Sequence, residues 1–205
     1  MLPPLQIRRA GKDDEALIAR LYFAAWRETY DGLLRDAAST ICSRSAERWR
    51  EGFDGPAAAK AIFLISRTGD APAGFVACGP VQHAKLVAAG FAGEMYSLYL
   101  LKHIQGEGAG RLLMRTAARH LLSRGIHDAG AVVLRDNDGI RRFLKALGAV
   151  ETKIEGVVSA MDQTFPSLAY RFCDLALLAA LGDRTVIAQS KDGVMAEVSH
   201  NRTLS

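Results

Sequence analysis

Glu94-Met95-Tyr96-Ser97-Leu98-Tyr99-Leu100-Leu101-Lys102-His103-Ile104-Gln105-Gly106-Glu107-Gly108-Ala109-Gly110-Arg111-Leu112-Leu113 runs from an apolar strand pattern through a glycine-rich turn into a helical pattern. Glycine accepts positive φ and carries no Cβ, so consecutive main-chain N–H groups can converge on one point, with the positive end of a helix dipole behind them. A phosphate or pyrophosphate is the natural guest of such a turn. The Gly-Lys-Ser/Thr ending of a nucleoside-triphosphate loop is absent, as is the G-x-G-x-x-G of a dinucleotide loop. Glycines placed for turn geometry alone are the competing reading.

Around this stretch the apolar pattern alternates between strand and helix. Upstream, Leu5-Gln6-Ile7-Arg8 predicts a strand, and Asp13 is placed as the N-cap of a helix carrying Leu17, Leu21 and Ala25 on one side. A helical cap containing both tryptophans is expected from Trp26 to Asp54. Ala61–Ile65 and Gly74–Cys78 flank a Gly69-Asp70-Ala71-Pro72 turn and predict a hairpin. Downstream, Leu113, Ala117 and Leu121 recur at helical spacing up to Gly125. Ala131–Leu134 reads as a buried strand, and Ile140, Phe143, Leu144 and Leu147 as the stripe of a helix ending at Gly148. Val150–Val158 and Leu168–Phe172 are closing strands joined by a loop containing Pro166. Residues 182–205 read as a tail or peripheral hairpin after a main domain of residues 1–181.

With 205 residues, 49% of them hydrophobic and 23% charged, the chain has the composition of one soluble globular domain. No apolar run is long enough to cross a bilayer, the first residues lack the pattern of a secretory signal, and the cytoplasm is the expected compartment. Cys42, Cys78 and Cys173 are widely spaced, with no CxxC pair and no histidine at metal-ligand spacing, so neither disulfides nor a metal is expected. A net charge of +4 raises the question of nucleic acid, but the cations are scattered rather than clustered among aromatics. An anionic cofactor accounts for the charge better, with Arg111 beside the glycine turn. Exposed edges of the closing strands and the tail offer a surface for a second copy of the chain.

Gln105-x-x-Gly108-x-Gly110 after a strand resembles the acyl-CoA pyrophosphate loop of the GNAT superfamily of acetyl-CoA-dependent N-acetyltransferases. A second stretch, Asn137 followed by Phe143-Leu144-Lys145-Ala146-Leu147-Gly148, resembles the family's N-x-x-A-x-x-F-Y-E-x-x-G-F, and the segment Ala25-Trp26-Arg27-x-x-Tyr30-x-Gly32-Leu33 is similar to the first-helix region of a bacterial subgroup. The order of elements follows the family from about Leu5 to Asp174. The resemblance implies an α/β fold with a mixed, mostly antiparallel sheet of six to seven strands, helices on both faces, and a splay at the central strand. It further implies that acetyl-CoA is the cosubstrate. Its pyrophosphate would lie on Gln105, Gly106, Gly108, Ala109, Gly110 and Arg111. Its pantetheine would pair with main-chain groups of Leu98 and Leu100, and Asn137 would bond cofactor or loop; capping of the following helix is the plain alternative for Asn137.

An amine attacking a thioester must first lose its proton, which calls for a base or a water relay. Glu94 stands where the family often places a glutamate for that purpose. The leaving thiolate is usually served by the tyrosine of the F-Y-E stretch, but that position is Leu144 here. Tyr30, Tyr96, Tyr170 or Cys173 could substitute, solvent could protonate the thiolate, or the protein could bind acyl-CoA without transfer. Glu94 and Tyr30 are the catalytic candidates. The acceptor is expected to be a small-molecule or peptide amine, and a non-catalytic CoA-binding regulatory module is the alternative function.

Overall fold

In the computed structural model, which describes residues 3–30, 60–160, 163–182, 186–189 and 195–198, the alternating apolar segments become strands. They are β1 (Leu5–Arg9), β2 (Ala61–Arg67), β3 (Gly74–Pro80), β4 (Gly93–Leu100), β5 (Ala129–Leu134), β6 (Val150–Ala160) and β7 (Gln163–Phe172). One sheet contains them in the order β1-β2-β3-β4-β5-β7-β6. Each neighbouring pair is antiparallel except β4 and β5. That parallel pair needs a long crossover, which is supplied by the helix after the glycine turn. The described helices are α1 (Glu15–Tyr30), α2 (Ala84–Ala88), α3 (Ala109–Ser123), α4 (Asp138–Ala146) and α5 (Leu175–Ala180).

Successive strand residues point to opposite faces, and β2 and β3 feed two apolar layers in this way. Leu64 and Phe75 meet Ile18 and Leu21 of α1, whereas Ile65 and Val76 join Leu113, Met114, Ala117 and Leu121 of α3 on the other face. Helices therefore cover both faces, as the resemblance implied. Helix α3 ends as its sequence predicts: Gly125 takes φ 73°, and the Ile126 N–H donates to Leu121 O at 3.0 Å.

Three local expectations are corrected. The start of α1 is organised by Asp14 rather than Asp13. Its carboxylate accepts from the Gly11 N–H at 2.9 Å and takes a two-pronged contact from Arg8 at 2.7 Å. Pro166 lies inside β7 rather than in a loop, opposite Val157 of β6. Its carbonyl accepts from the Arg135 N–H, one residue beyond the end of β5, so its missing N–H falls past the last rung of that ladder. The short helix α2 was not expected at all. The helical cap over residues 31–54, and Cys42 with it, lies outside the described residues. In the tail, β8 (Val186–Gln189) and β9 (Met195–Val198) pair with each other in a separate two-stranded sheet.

Candidate active site

Strands β4 and β5 pair at only two positions, Gly93 with Ala129 and Glu94 with Gly130. The paired end is tightly built. Asp128 O accepts from the Gly93 N–H at 3.1 Å, Asp128 Oδ1 accepts from the Ala92 N–H at 3.2 Å, and Oδ2 accepts from Arg171 Nε at 2.9 Å and Nη2 at 2.6 Å. A Cβ on Gly93 would stand 2.7 Å from Ile126 Cγ2 and 3.0 Å from Asp128 O, so glycine is required there by close approach. Beyond Glu94 the two strands part.

The parting strand is distorted. Between Ala77 and Cys78 the β3 register shifts from Ser97 to Met95, leaving Tyr96 as the extra residue of a bulge. Farther on, the Leu101 N–H donates to Ala73 O at 2.9 Å, which fixes the phase of the strand. By alternation the main-chain groups of Leu98 and Leu100 face the opening toward β5. The Leu100 carbonyl accepts from Gln105 Nε2 at 2.8 Å. A cleft of about 1570 Å³ follows this opening, lined by Glu94, Tyr96, Leu98, Leu100, Asn137 and Leu144 together with the glycine turn.

The turn itself matches the sequence reading. Gly106 has φ 78°, and Gly108, at φ 87° and ψ 0°, is the residue from which α3 starts. A Cβ at either glycine meets no atom within 4 Å, so backbone conformation rather than packing demands glycine and the space above the turn is open. Gly110 differs: a Cβ there would lie 3.0 Å from Phe143 Cζ and 3.3 Å from Leu100 Cδ1. Ala109 is buried beside it, while Arg111 is exposed and lines the cleft. Two distant side chains brace the turn. Glu28 Oε2 of α1 accepts from the Lys102 N–H at 2.7 Å, and Arg67 Nη2 of β2 reaches His103 O at 3.0 Å and Glu107 Oε1 at 2.6 Å.

Glu94 is 8% exposed and stands at the last rung before the strands part. Its Oε2 accepts from the Gln82 and His83 N–H groups at 2.8 and 2.9 Å, so the segment leading into α2 holds the carboxylate at the cleft wall. Tyr96 donates its hydroxyl to Pro80 O, and burial, reinforced by the nearby Glu94 charge, raises its pKa above the ordinary tyrosine value. Asn137 caps α4, its Oδ1 accepting from the Ile140 N–H at 3.1 Å, and also lines the cleft.

A pattern describing the Acetyltransferase (GNAT) family matches residues 19–149. The chain belongs to this family. An uncharacterized N-acetyltransferase of Archaeoglobus fulgidus is 31% identical over 141 residues, covering 68% of this chain and 88% of that protein. The uncharacterized N-acetyltransferase YuaI of Bacillus subtilis is 28% identical over 136 residues, covering 65% and 74%. The fold is similar to that of PaiA N-acetyltransferase from Thermoplasma acidophilum in complex with coenzyme A, with TM-score 0.59, 16% identity and 82% and 99% of the two chains covered. It is also similar to yncA from Salmonella typhimurium, solved with its cofactor acetyl-CoA, with TM-score 0.55, 17% identity and coverage of 83% and 94%.

Within this GNAT fold the candidates from sequence separate into two groups. Glu94, Leu98, Leu100, Gln105, Gly106, Gly108, Gly110, Arg111 and Asn137 converge on one cleft. Tyr30 closes α1, and its side chain lies outside the described residues. The other candidates for the thiolate are placed by burial or bonding. The Tyr170 hydroxyl is fully buried, donating to Glu151 Oε2 at 2.6 Å and accepting from Arg141 Nε at 3.2 Å. Cys173 is exposed after β7, and Leu144, at 2% exposure, is part of the core. Burial pushes the Cys78 thiol up to about 12, which removes it as a nucleophile near neutral pH. Sequence reading missed Glu28, Arg67, Asp128 and Arg171, whose side-chain hydrogen-bond partners lie 36 to 74 residues away and leave no local signature.

Proposed function

We propose that the protein transfers the acetyl group of acetyl-CoA to a primary amine of a small molecule or peptide by direct attack on the thioester, with residues 1–181 as the acyltransferase domain. The observation that carries this reading is the β4–β5 opening, which leads directly to a positive-φ glycine turn at the start of α3. The residues fit the cosubstrate. Open space above Gly106 and Gly108 suits a pyrophosphate, which the amides from Gln105 to Arg111, Ala109 included, would receive, and Leu98 and Leu100 offer main-chain groups to an extended amide-bearing arm. Asn137 keeps its Nδ2 for a ligand while its Oδ1 caps α4. Bound acetyl-CoA supplies an electrophilic thioester carbon.

Glu94 accepts the proton of the attacking amine, directly or through one water, as the C–N bond forms and the C–S bond breaks. The thiolate leaves into a site where Leu144 provides no proton. Solvent suffices for a thiol whose pKa is about 8.5, and Tyr30 is the side-chain candidate if one participates. The experiment is calorimetry with CoA together with measurement of thiol release from acetyl-CoA over a panel of primary amines. Saturable CoA binding and amine-dependent release support the reading. CoA binding with no release on any amine would favour the regulatory-module alternative that Leu144 motivates, and no binding would exclude both.

A further inference from the structure

An acid in the middle of an anion-binding turn is an electrostatic contradiction. Glu107 lies between Gly106 and Gly108, the two positive-φ residues whose neighbouring amides are to receive the pyrophosphate. Left free, its carboxylate would repel that group. It is not left free: Oε1 accepts from Arg67 Nη2 at 2.6 Å, with side-chain exposures of 32% for Glu107 and 13% for Arg67. The same nitrogen donates to His103 O at 3.0 Å, so one guanidinium ties the approach to the turn to its middle from β2, outside the loop–helix unit.

We propose that Arg67 is a positioning residue for the cosubstrate: it draws the Glu107 carboxylate toward β2, neutralises it, and fixes the amides of residues 105–111 in their anion-receiving arrangement. The inference rests on the reading of this turn as the CoA pyrophosphate site. Glu107 has a role of its own, because it gives Arg67 a second anchor beyond the His103 carbonyl. Nη2 carries two N–H donors, so this one nitrogen serves both acceptors while the guanidinium keeps its charge at any working pH.

The test is calorimetric CoA titration of the wild-type protein and of Arg67→Ala, Glu107→Gln and the double variant, each at low and high salt, with thermal unfolding of each as a control on folding. Arg67→Ala is expected to weaken CoA binding about tenfold at low salt, as befits a charge-assisted contact left without its partner. The deficit should shrink in about 1 M salt, where the screening length falls to about 3 Å. Adding Glu107→Gln to Arg67→Ala should recover most of the lost affinity, because the repelling charge is then gone. A folding defect would show neither the salt dependence nor the rescue. Wild-type binding with an unchanged Arg67→Ala affinity, or a double variant as weak as Arg67→Ala, overturns the latch alone. A wild-type protein that gives no heat with CoA overturns the turn assignment and the latch with it.

Discussion

The two ends of the β4–β5 seam are built from the same strands to opposite ends. At Gly93 and Glu94 the strands are hydrogen-bonded, glycines admit close approach, and the Asp128–Arg171 contact locks the junction, with the Arg171 guanidinium 4.5 Å from the centre of the Phe91 ring. Four residues later Leu98 faces a cleft, across which β5 no longer offers a partner. Unpaired main-chain groups are normally a liability in a sheet. Here a local lock and a bulge at Tyr96 confine that liability to one wedge, where a ligand rich in amides can satisfy it. The lesson is that the opening depends on the closure: a wedge keeps its angle only if its apex is rigid.

Glu94 stands at the boundary, and its substitution should have the largest effect. Glu94→Gln is expected to lower the rate of acetyl transfer by about 10²- to 10⁴-fold with little change in CoA affinity, read from steady-state kinetics beside calorimetry. An undiminished rate would make Glu94 part of the apex only. Gly93→Val attacks the apex itself. Overpacking against Ile126 and Asp128 O should cost about 1–3 kcal/mol in urea unfolding, a loss that Gly11→Val, where a Cβ meets no atom, should not reproduce. Gly108→Val tests the open end: forcing a branched residue into φ 87° should cost about 1–2 kcal/mol, appearing as weakened CoA binding rather than as a repacked core. Asn137→Ala removes a helix cap beside the cleft and should destabilise by about 1 kcal/mol, with Asn137→Asp preserving the cap in thermal melts.

The smallest effect concerns acid stability away from the seam. Hydrogen bonds from Tyr170 and then Lys145 hold the Glu151 carboxyl down at about 2, against an ordinary value of 4.5. A depressed carboxyl contributes its stability in full above the unfolded value and loses it as pH falls through the folded one. Wild type and Glu151→Gln should therefore differ most in stability above pH 4.5 and converge toward pH 2, as followed by urea midpoints across that range.

Much of this arrangement is written locally. The glycines at 106 and 108, the stripe of α3 and the Gly125 stop each follow from a few neighbouring residues, and the structure repeats them, whereas Gly110 answers to Phe143, 33 positions along the chain. The splay was expected from family resemblance, whereas its physical devices were not legible. Tyr96 carries no mark of a bulge, and the apex and turn braces join residues dozens of positions apart. Pro166 misled for a related reason. A proline reads as a strand breaker until the neighbouring strand is known to stop beside it. Asn137 was ambiguous because capping and ligand contact ask for the same amide, and the structure shows that its oxygen serves the cap.

One hydrogen bond ties the far end of α1 to the entrance of the glycine turn: the Lys102 N–H donating to Glu28 Oε2. A single exchangeable hydrogen thus depends on two bodies at once, the seating of the first helix and the shape of the loop after β4. Its exchange with deuterium works as a joint gauge of both, slowing when either is tightened and quickening when either works loose.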